Sequence, residues 1–139
     1  MAEMTPDEIA EFVAAPRIAI LGTINTDGTP ALNPVWYSYA SGTFRVIVPT
    51  RSYYGRNIAR DPRITICVQK EEPPYRAVVA RGSGVIEMEG AGIGPVLRQF
   101  AIRYFGDEAG NAYADANDGT RDILVSLTPD RVGSWDYGS

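Results

Sequence analysis

Histidine is absent from the 139-residue sequence, and lysine and cysteine occur once each, as Lys70 and Cys67. Without histidine the chain has no Ser-His-Asp or Cys-His catalytic group, no imidazole zinc ligand and no imidazole proton shuttle. Lys70 lies in the polar stretch QKEEPP, which matches no GxxxxGK[ST] phosphate loop and is a poor setting for a Schiff-base lysine. The groups left to carry chemistry are carboxylates, hydroxyls, backbone groups and twelve arginines.

Long apolar runs are also absent from the sequence. No run approaches the roughly 20 residues needed to cross a bilayer, and the N-terminus is acidic where a signal peptide is basic. A single cysteine cannot form an internal disulfide, and Cys67 lies in the β-branched run ITICV, which predicts a buried, reduced thiol in a strand. These features predict a soluble, cytoplasmic protein with no membrane partner.

The formal net charge of −4 is unevenly distributed along the chain. Residues 45–81 hold eight basic and three acidic groups, so this segment carries +5 and the rest of the chain −9. Acidic flanks would repel the phosphates of a long polyanion that the basic middle attracts. The pattern therefore predicts a small anionic ligand and no nucleic-acid partner.

Local signals predict one domain over residues 1–139 in which strands follow each other by hairpins. A capping box begins the first helix at Thr5, Asp27-Gly28 marks a tight turn, and Gly82 and Gly84 mark a bend in a long strand. These signals predict a largely antiparallel small barrel with helices at its ends. The predicted segments are a helix over 5–15, barrel strands within 17–89 and 121–137, and a helical insert over 95–118.

The stretch VPTRSYYGRNIARDPR, residues 48–63, is the leading candidate site. A strand ending in Thr50-Arg51-Ser52 leads into a predicted helix capped by Ser52, so hydroxyls, backbone N–H groups and guanidinium groups meet at one corner. This combination suits a phosphate group, but clustered arginines also form solvated surfaces, and both interpretations stay open. The aromatic stretch Trp36–Tyr39 is likewise either part core and part surface, or a platform beside a ring-shaped ligand.

Two further patterns are interpreted without function. Gly90–Gly94 lies between a strand and a helix, but a GxGxxG fingerprint needs glycine at Pro95, and the hairpins upstream supply no parallel βαβ unit. A loop is therefore predicted there. The carboxylates of Glu71-Glu72 and of Glu87 and Glu89 lie in polar or alternating contexts typical of solvated side chains.

Four segments in order, TPALNPVWY, VPTRSYYGRNIARDPR, YRAVVARGSGVIE and PDRVGSWD, resemble the flavin and deazaflavin oxidoreductase superfamily. These are the split β-barrel proteins related to pyridoxamine 5′-phosphate oxidase. The resemblance extends from about Ile9 to Asp136. Its most specific element is RNIARDPRITI, since members typically show an RN-hydrophobic-x-x-DPR pattern there, and the second is the GxPxxxPVW-like pattern at Gly28–Trp36.

The resemblance implies a mainly β fold, a six-stranded antiparallel split β-barrel with peripheral helices. It also implies a homodimer with a cofactor in a groove at each subunit interface. Strand residues would face the cofactor ring, the corner after the next strand would hold the ribityl chain and phosphate, and the C-terminal strand would contribute from either subunit. The strand residues that would face the ring are Asn33, Pro34, Val35, Trp36 and Tyr37. The corner residues that would hold the ribityl chain and phosphate are Thr50, Arg51, Ser52, Arg56 and Asn57. The C-terminal strand would contribute Trp135.

The function implied by the resemblance is that of an oxidoreductase. It would transfer hydride between FMN or a reduced 8-hydroxy-5-deazaflavin coenzyme and a small organic substrate, with no metal and no catalytic side chain identified. One position departs from the pattern, because Tyr54 stands where many members have a lysine that reaches the cofactor phosphate. Tyrosine brings no charge, so phosphate binding would pass to Arg51 and Arg56. The alternative is a non-catalytic split-barrel protein that binds a flavin, haem or another hydrophobic anion.

Overall fold

The described part of the chain, residues 2–138 of a computed structural model, contains eight strands and four α-helices. None of these helices is long and apolar enough to cross a membrane. In chain order the elements are α1 (Pro6–Ala14), β1 (Ala19–Ile24), β2 (Pro30–Val35), β3 (Tyr37–Ala40), β4 (Thr43–Pro49), α2 (Tyr53–Arg60), β5 (Arg63–Lys70), β6 (Arg76–Glu89), a 3₁₀ turn (Gly90–Ile93), α3 (Gly94–Phe105), α4 (Asp107–Ala116), β7 (Asp122–Leu127) and β8 (Arg131–Asp136).

Side-chain caps fix where the first two helices begin. The Thr5 hydroxyl accepts a hydrogen bond from the Glu8 backbone N–H at 3.2 Å, and the Glu8 carboxylate accepts one from the Thr5 N–H at 2.9 Å. The Ser52 hydroxyl accepts from the Gly55 N–H at 3.0 Å. Each cap satisfies a backbone donor that has no partner within its helix, so both helix starts are encoded locally.

The strands form one curled antiparallel sheet in which β6 belongs to both halves. On one edge β6 pairs with β5, and on the other it pairs first with β8 and then, beyond its bend, with β7. Gly82 and Gly84 lie at the bend, and a Cβ at Gly84 would come within 2.9 Å of Ile64 Cδ1. The sheet order is β2-β1-β5-β6-β7-β4-β3 with β8 beside β6. The predicted mainly β, antiparallel split-barrel class is confirmed.

The number of strands differs from the six expected. The segment TPALNPVWYSYA, residues 29–40, forms two strands, β2 and β3, which pair with β1 and β4 respectively, and the short β8 adds a further strand. The division falls at Trp36, because the Tyr37 N–H donates to the Tyr104 hydroxyl at 3.0 Å. A side chain of α3 thus binds the backbone where one strand ends and the next begins.

The barrel interior is filled by inward-facing apolar side chains of both halves of the sheet and of α1. Ile66 and Val68 of β5 are buried in this core, so Cys67 between them faces outward and is only half-buried. The prediction that Cys67 is a buried thiol is therefore wrong. It lies on the outer face of the half formed by β2, β1, β5, the first part of β6 and β8, here called the outer sheet face.

The helical insert is a hairpin of α3 and α4 that packs at one end of the sheet. Gly106 joins the two helices with φ of +86°, and Gly110 lets the helix backbones approach closely. A Cβ at Gly110 would lie 2.5 Å from the Ile102 Cα. This hairpin supplies Tyr104 and its neighbours to the break between β2 and β3.

Candidate functional site

At the corner where β4 ends and α2 begins, Ser52 caps the helix as the sequence predicts. The Ser52 hydroxyl donates to the Pro49 carbonyl at 2.7 Å in addition to accepting from Gly55. A Cβ at Gly55 would lie 2.5 Å from the Pro49 carbonyl oxygen, so the tight approach of α2 to β4 requires glycine there. Since both hydrogen-bonding roles of the Ser52 hydroxyl are already filled, this side chain acts as a helix cap.

Asn57 attaches α2 to the barrel. Its side chain is only 4% exposed, and its amide nitrogen donates to Thr23 Oγ1 at 3.1 Å and to Asn25 Oδ1 at 2.9 Å. Its amide oxygen accepts from Arg60 at 3.2 Å. The predicted contact of Asn57 with a ribityl chain or phosphate would have to compete with these three hydrogen bonds.

Arg51 and Arg56 line different pockets. Arg51 lines a pocket of about 590 Å³ together with Pro49, Thr50, Thr120 and Arg121. Arg56 lines a pocket of about 430 Å³ on the other side of α2, with Tyr53, Asn57, Arg60 and the β1–β2 turn over residues 25–27. Arg121 is the functional candidate that sequence reasoning missed, because only the pairing of β4 with β7 brings it beside Arg51.

Tyr54 faces the barrel interior where a phosphate-binding lysine was the expected residue. Its ring packs against the main core cluster and lies edge-on to Tyr53 at 5.4 Å between centroids. Burial raises the pKa of the phenol, and the nearby charges of Tyr53 and Asp122 raise it further. Tyr54 therefore remains neutral at physiological pH and contributes packing where a lysine would contribute charge.

Asn33 of β2 lies beside the start of α2. The Asn33 amide nitrogen donates to the Tyr53 hydroxyl at 2.9 Å. This bond connects Asn33, which was predicted to face a cofactor ring, to the first residue of α2. The Asn33 amide oxygen is buried and has no hydrogen-bond partner among residues 2–138. An unpaired buried acceptor is costly, and a ligand bearing an O–H or N–H donor would satisfy it. On the same strand Pro34 is exposed and Val35 faces the core.

Trp36 lies in an aromatic cluster with the α3–α4 hairpin. Its ring stacks on Tyr104 at 4.9 Å between centroids with 9° between planes, and Phe105 and Tyr113 meet it at 5.1 and 5.5 Å. Phe105 is 49% and Tyr113 38% exposed, so the cluster is open on its outer side. Trp36 is therefore both a contact with α3 and part of an accessible aromatic surface.

Tyr37 is wholly buried. Its hydroxyl donates to the carbonyls of Val13 and Ala15, at 2.9 and 2.8 Å, at the end of α1. The Tyr37 carbonyl accepts a hydrogen bond from Arg103 Nε at 3.1 Å, and the Tyr37 N–H donates one to the Tyr104 hydroxyl. A cofactor ring would have to displace these hydrogen bonds to reach Tyr37, which serves the fold in this chain.

Trp135 lies apart from the corner. Trp135 belongs to β8 and pairs with Ala77 of β6, and its ring packs over Gly133 on the outer sheet face. Among the described residues it lines none of the pockets that contain Arg51 or Arg56. Its predicted contact with a cofactor therefore requires a second copy of the chain and stays a prediction.

We expect the protein to lose stability at alkaline pH because of one buried and one half-buried phenol, those of Tyr37 and Tyr104. Burial raises the pKa of Tyr37 and of Tyr104 above the usual value near 10. Above about pH 10 the unfolded chain loses protons that the folded chain keeps, so the free energy of unfolding falls as pH rises. Urea denaturation between about pH 8 and 11 measures this decline.

Tyr37→Phe provides the control for this alkaline effect. It should make the decline shallower while lowering stability near neutral pH by about 1–2 kcal/mol, through the loss of the bonds to Val13 and Ala15. An equally steep alkaline decline in Tyr37→Phe would show that other groups are responsible.

The curled antiparallel sheet with its helix-capped, arginine-bearing corner defines a split-barrel protein. The family described as pyridoxamine 5′-phosphate oxidase matches residues 5–136, and the chain belongs to this family. This confirms the resemblance to the flavin-binding split-barrel superfamily. The comparison with curated protein sequences finds no match.

Solved structures with the same fold differ in their ligands. A conserved hypothetical protein from Mycobacterium tuberculosis superimposes with a TM-score of 0.82 at 28% identity, over 96% of this chain and 86% of that one. An F420 reductase gives a TM-score of 0.72 at 23% identity, over 88% and 93% of the two chains. The haem storage protein HutZ from Vibrio cholerae gives 0.68 at 16% identity, over 94% and 93%. The last two likenesses concern the fold alone.

Proposed function

We propose that this protein binds a flavin-type cofactor, either FMN or an 8-hydroxy-5-deazaflavin coenzyme, and transfers hydride between it and a small organic substrate. The observation that carries the proposal is the junction of β2 with α2. There Asn33, whose buried oxygen is unpaired, is hydrogen-bonded to Tyr53, the first residue of α2, and the capped turn just before α2 bears Thr50 and Arg51. In a family of pyridoxamine 5′-phosphate oxidase type, this combination suits a ligand with hydroxyl donors and an anionic end.

The residues present fit such a group. A ribityl chain brings hydroxyl donors for the Asn33 oxygen, and a phosphate suits the guanidinium of Arg51. The bound ring supplies the hydride chemistry, and the protein binds, orients and shields it. Trp36 and the open aromatic surface around it would limit water at the substrate side and favour a planar or apolar substrate.

A non-catalytic binding protein is the second candidate. It is favoured by Tyr54, which is packed into the core and leaves the corner one positive charge short of the expected pattern. A related fold belongs to a haem storage protein. In this function the same groove would carry a flavin, haem or another hydrophobic anion without turning it over.

Cofactor titration of the purified protein separates the two functions. We expect FMN or the deazaflavin coenzyme to bind with a dissociation constant on the order of 1 µM, about −8 kcal/mol, detected by quenching of ligand fluorescence. The bound, reduced cofactor should then be reoxidised by a small unsaturated or aromatic acceptor. Binding of haemin alone, with neither flavin bound, would favour the storage function and contradict hydride transfer.

We also propose that the protein acts as a homodimer in the cytoplasm, paired through the outer sheet face. This face exposes 67% of Leu32 and 50% of Ile18, and exposed apolar side chains of this size suit a contact with a partner. Trp135 lies on the same face, where a partner would place it near the cofactor groove. The lone, half-exposed thiol of Cys67 is in keeping with a reducing compartment.

A further inference from the structure

We propose that Arg121, at the start of β7, is the second cation that binds the anionic end of the cofactor, acting together with Arg51. This inference rests on the proposed flavin-type cofactor. It assigns the role to a residue outside the RN motif and replaces Arg56 as the partner of Arg51.

The backbone fixes Arg51 and Arg121 at one place. The antiparallel pairing of β4 with β7 ends at Pro49 and Asp122, and the next backbone bond runs from the Thr50 N–H to the Arg121 carbonyl at 2.8 Å. Arg51 and Arg121 then line the same pocket of about 590 Å³. Because the bond uses backbone atoms only, changing the Arg121 side chain leaves the corner in place.

The charges in this pocket are not neutralised by contact. Within residues 2–138 no carboxylate lies within 4.0 Å of either guanidinium, whereas four other arginines form ion pairs. Asp118 and Asp122 lie on either side of Arg121 in sequence, and neither forms an ion pair with it. One oxygen of Asp118 accepts from the Thr120 N–H and hydroxyl at 3.0 and 2.8 Å. Two guanidinium groups lining one pocket repel each other, and an anion between them relieves that repulsion.

Arg56 does not line the pocket that Arg51 and Arg121 share. Its pocket lies across α2 and contains Asp27 of the β1–β2 turn, which opposes an anion. Arg60 in the same pocket is committed to Asn57 and to the Ile24 carbonyl. The pocket that Arg121 shares with Arg51 has no carboxylate among its described lining residues, and this distinguishes it from the Arg56 pocket. Arg121 also borders a separate acidic pocket with Asp115, Asp118 and Asp122, so its side chain lies between the two.

Paired titrations with and without the phosphate test the assignment. The probes are FMN against riboflavin, and the deazaflavin coenzyme against its phosphate-free riboside. We expect Arg121→Ala and Arg51→Ala each to weaken FMN binding about tenfold while leaving riboflavin affinity unchanged, which also shows that the variants are folded. Arg121→Lys should retain part of the difference. Arg45→Ala, which removes an ion-paired arginine of β4, is the matched control and should leave both affinities unchanged.

The outcomes separate this inference from the proposed function. An unchanged ratio of FMN to riboflavin affinity in Arg121→Ala overturns the inference while leaving flavin binding intact. Loss of the ratio in Arg56→Ala but not in Arg121→Ala overturns it in favour of the RN-motif arginine. Failure of the unmodified protein to bind any of the four ligands overturns the proposed function, and this inference with it.

Discussion

Arg103→Ala is expected to lower the free energy of unfolding by about 3 kcal/mol. The guanidinium donates to the carbonyls of Tyr37 at 3.1 Å, Ala14 at 2.8 Å and Ala15 at 3.2 Å. It also lies over the Tyr37 ring at 5.2 Å. A charged hydrogen bond contributes about 1.5–3 kcal/mol, and partial exposure and shared geometry keep the total well below the sum.

The physical reason for this large effect is that Arg103 closes a helix end against a strand start. The last carbonyls of α1 have no partner within the helix, and Arg103 supplies donors and positive charge to them. Without it, the half-buried carbonyl of Tyr37 and the exposed carbonyl of Ala14 both lose a charged donor. The break between β2 and β3 would loosen at the same time.

Arg98→Ala on the same helix is the matched control. Arg98 pairs with Asp115 at 2.8 Å and donates to Asn111 Oδ1 at 2.8 Å. The Arg98 and Asp115 side chains are 40% and 73% exposed, so the loss of Arg98 should cost about 1 kcal/mol, well below that of Arg103. Urea denaturation of both variants measures the difference. Equal destabilisation by the two substitutions would mean that the Arg103 contacts contribute nothing beyond an exposed arginine.

Features encoded by neighbouring residues were predictable from the sequence. The capping box at Thr5, the cap at Ser52 and the bend at Gly82 and Gly84 each depend on side chains within a few positions, and the structure contains all of them. The β1–β2 turn at Asp27-Gly28 is likewise present, with Gly28 at φ of +87°. Local chemistry leaves few alternatives at such sites.

Features set by distant residues were not predictable in this way. The strand break at Trp36 depends on Tyr104, a helical residue far along the chain. Within the strand Pro34 indicates an irregularity, but nothing there indicates the partner. The same holds for the pairing that brings Arg121 beside Arg51. Cys67 is a different case, because its β-branched neighbours predicted burial while the alternation in the same strand places it with the polar Thr65 and Gln69, opposite Ile66 and Val68.

The candidate site also combines features that the sequence predicts with features that only the fold determines. The motif around residues 48–63 identifies the corner, yet within it Ser52 and Asn57 are occupied by the fold. A motif records which residues occur together and does not separate those that hold the corner from those that face a ligand. Hydrogen-bond saturation makes that separation, and it leaves Asn33, Thr50 and Arg51 as the groups most able to bind a ligand.

Leu32→Arg is expected to convert the proposed dimer into a monomer, with a dimer dissociation constant raised at least about 100-fold. Leu32 is 67% exposed on the outer sheet face, and Arg81 and Arg131 line the same groove. In a two-fold symmetric interface one substitution acts twice, and each copy would bury an added positive charge in a groove whose described lining residues include three arginines, the third being Arg63, and one carboxylate, Asp130. Analytical ultracentrifugation over a range of concentrations measures the shift.

The control and the consequence for binding follow from the position of the face. Val85→Arg changes a valine that is 57% exposed beyond the bend of β6, outside the outer sheet face, and should leave the dimer intact. If the cofactor groove is completed by the partner subunit, Leu32→Arg should weaken FMN binding in step with dissociation, and high protein concentration should restore it. A Leu32→Arg monomer that binds FMN as tightly as the unmodified protein would place the groove within one chain and remove Trp135 from it.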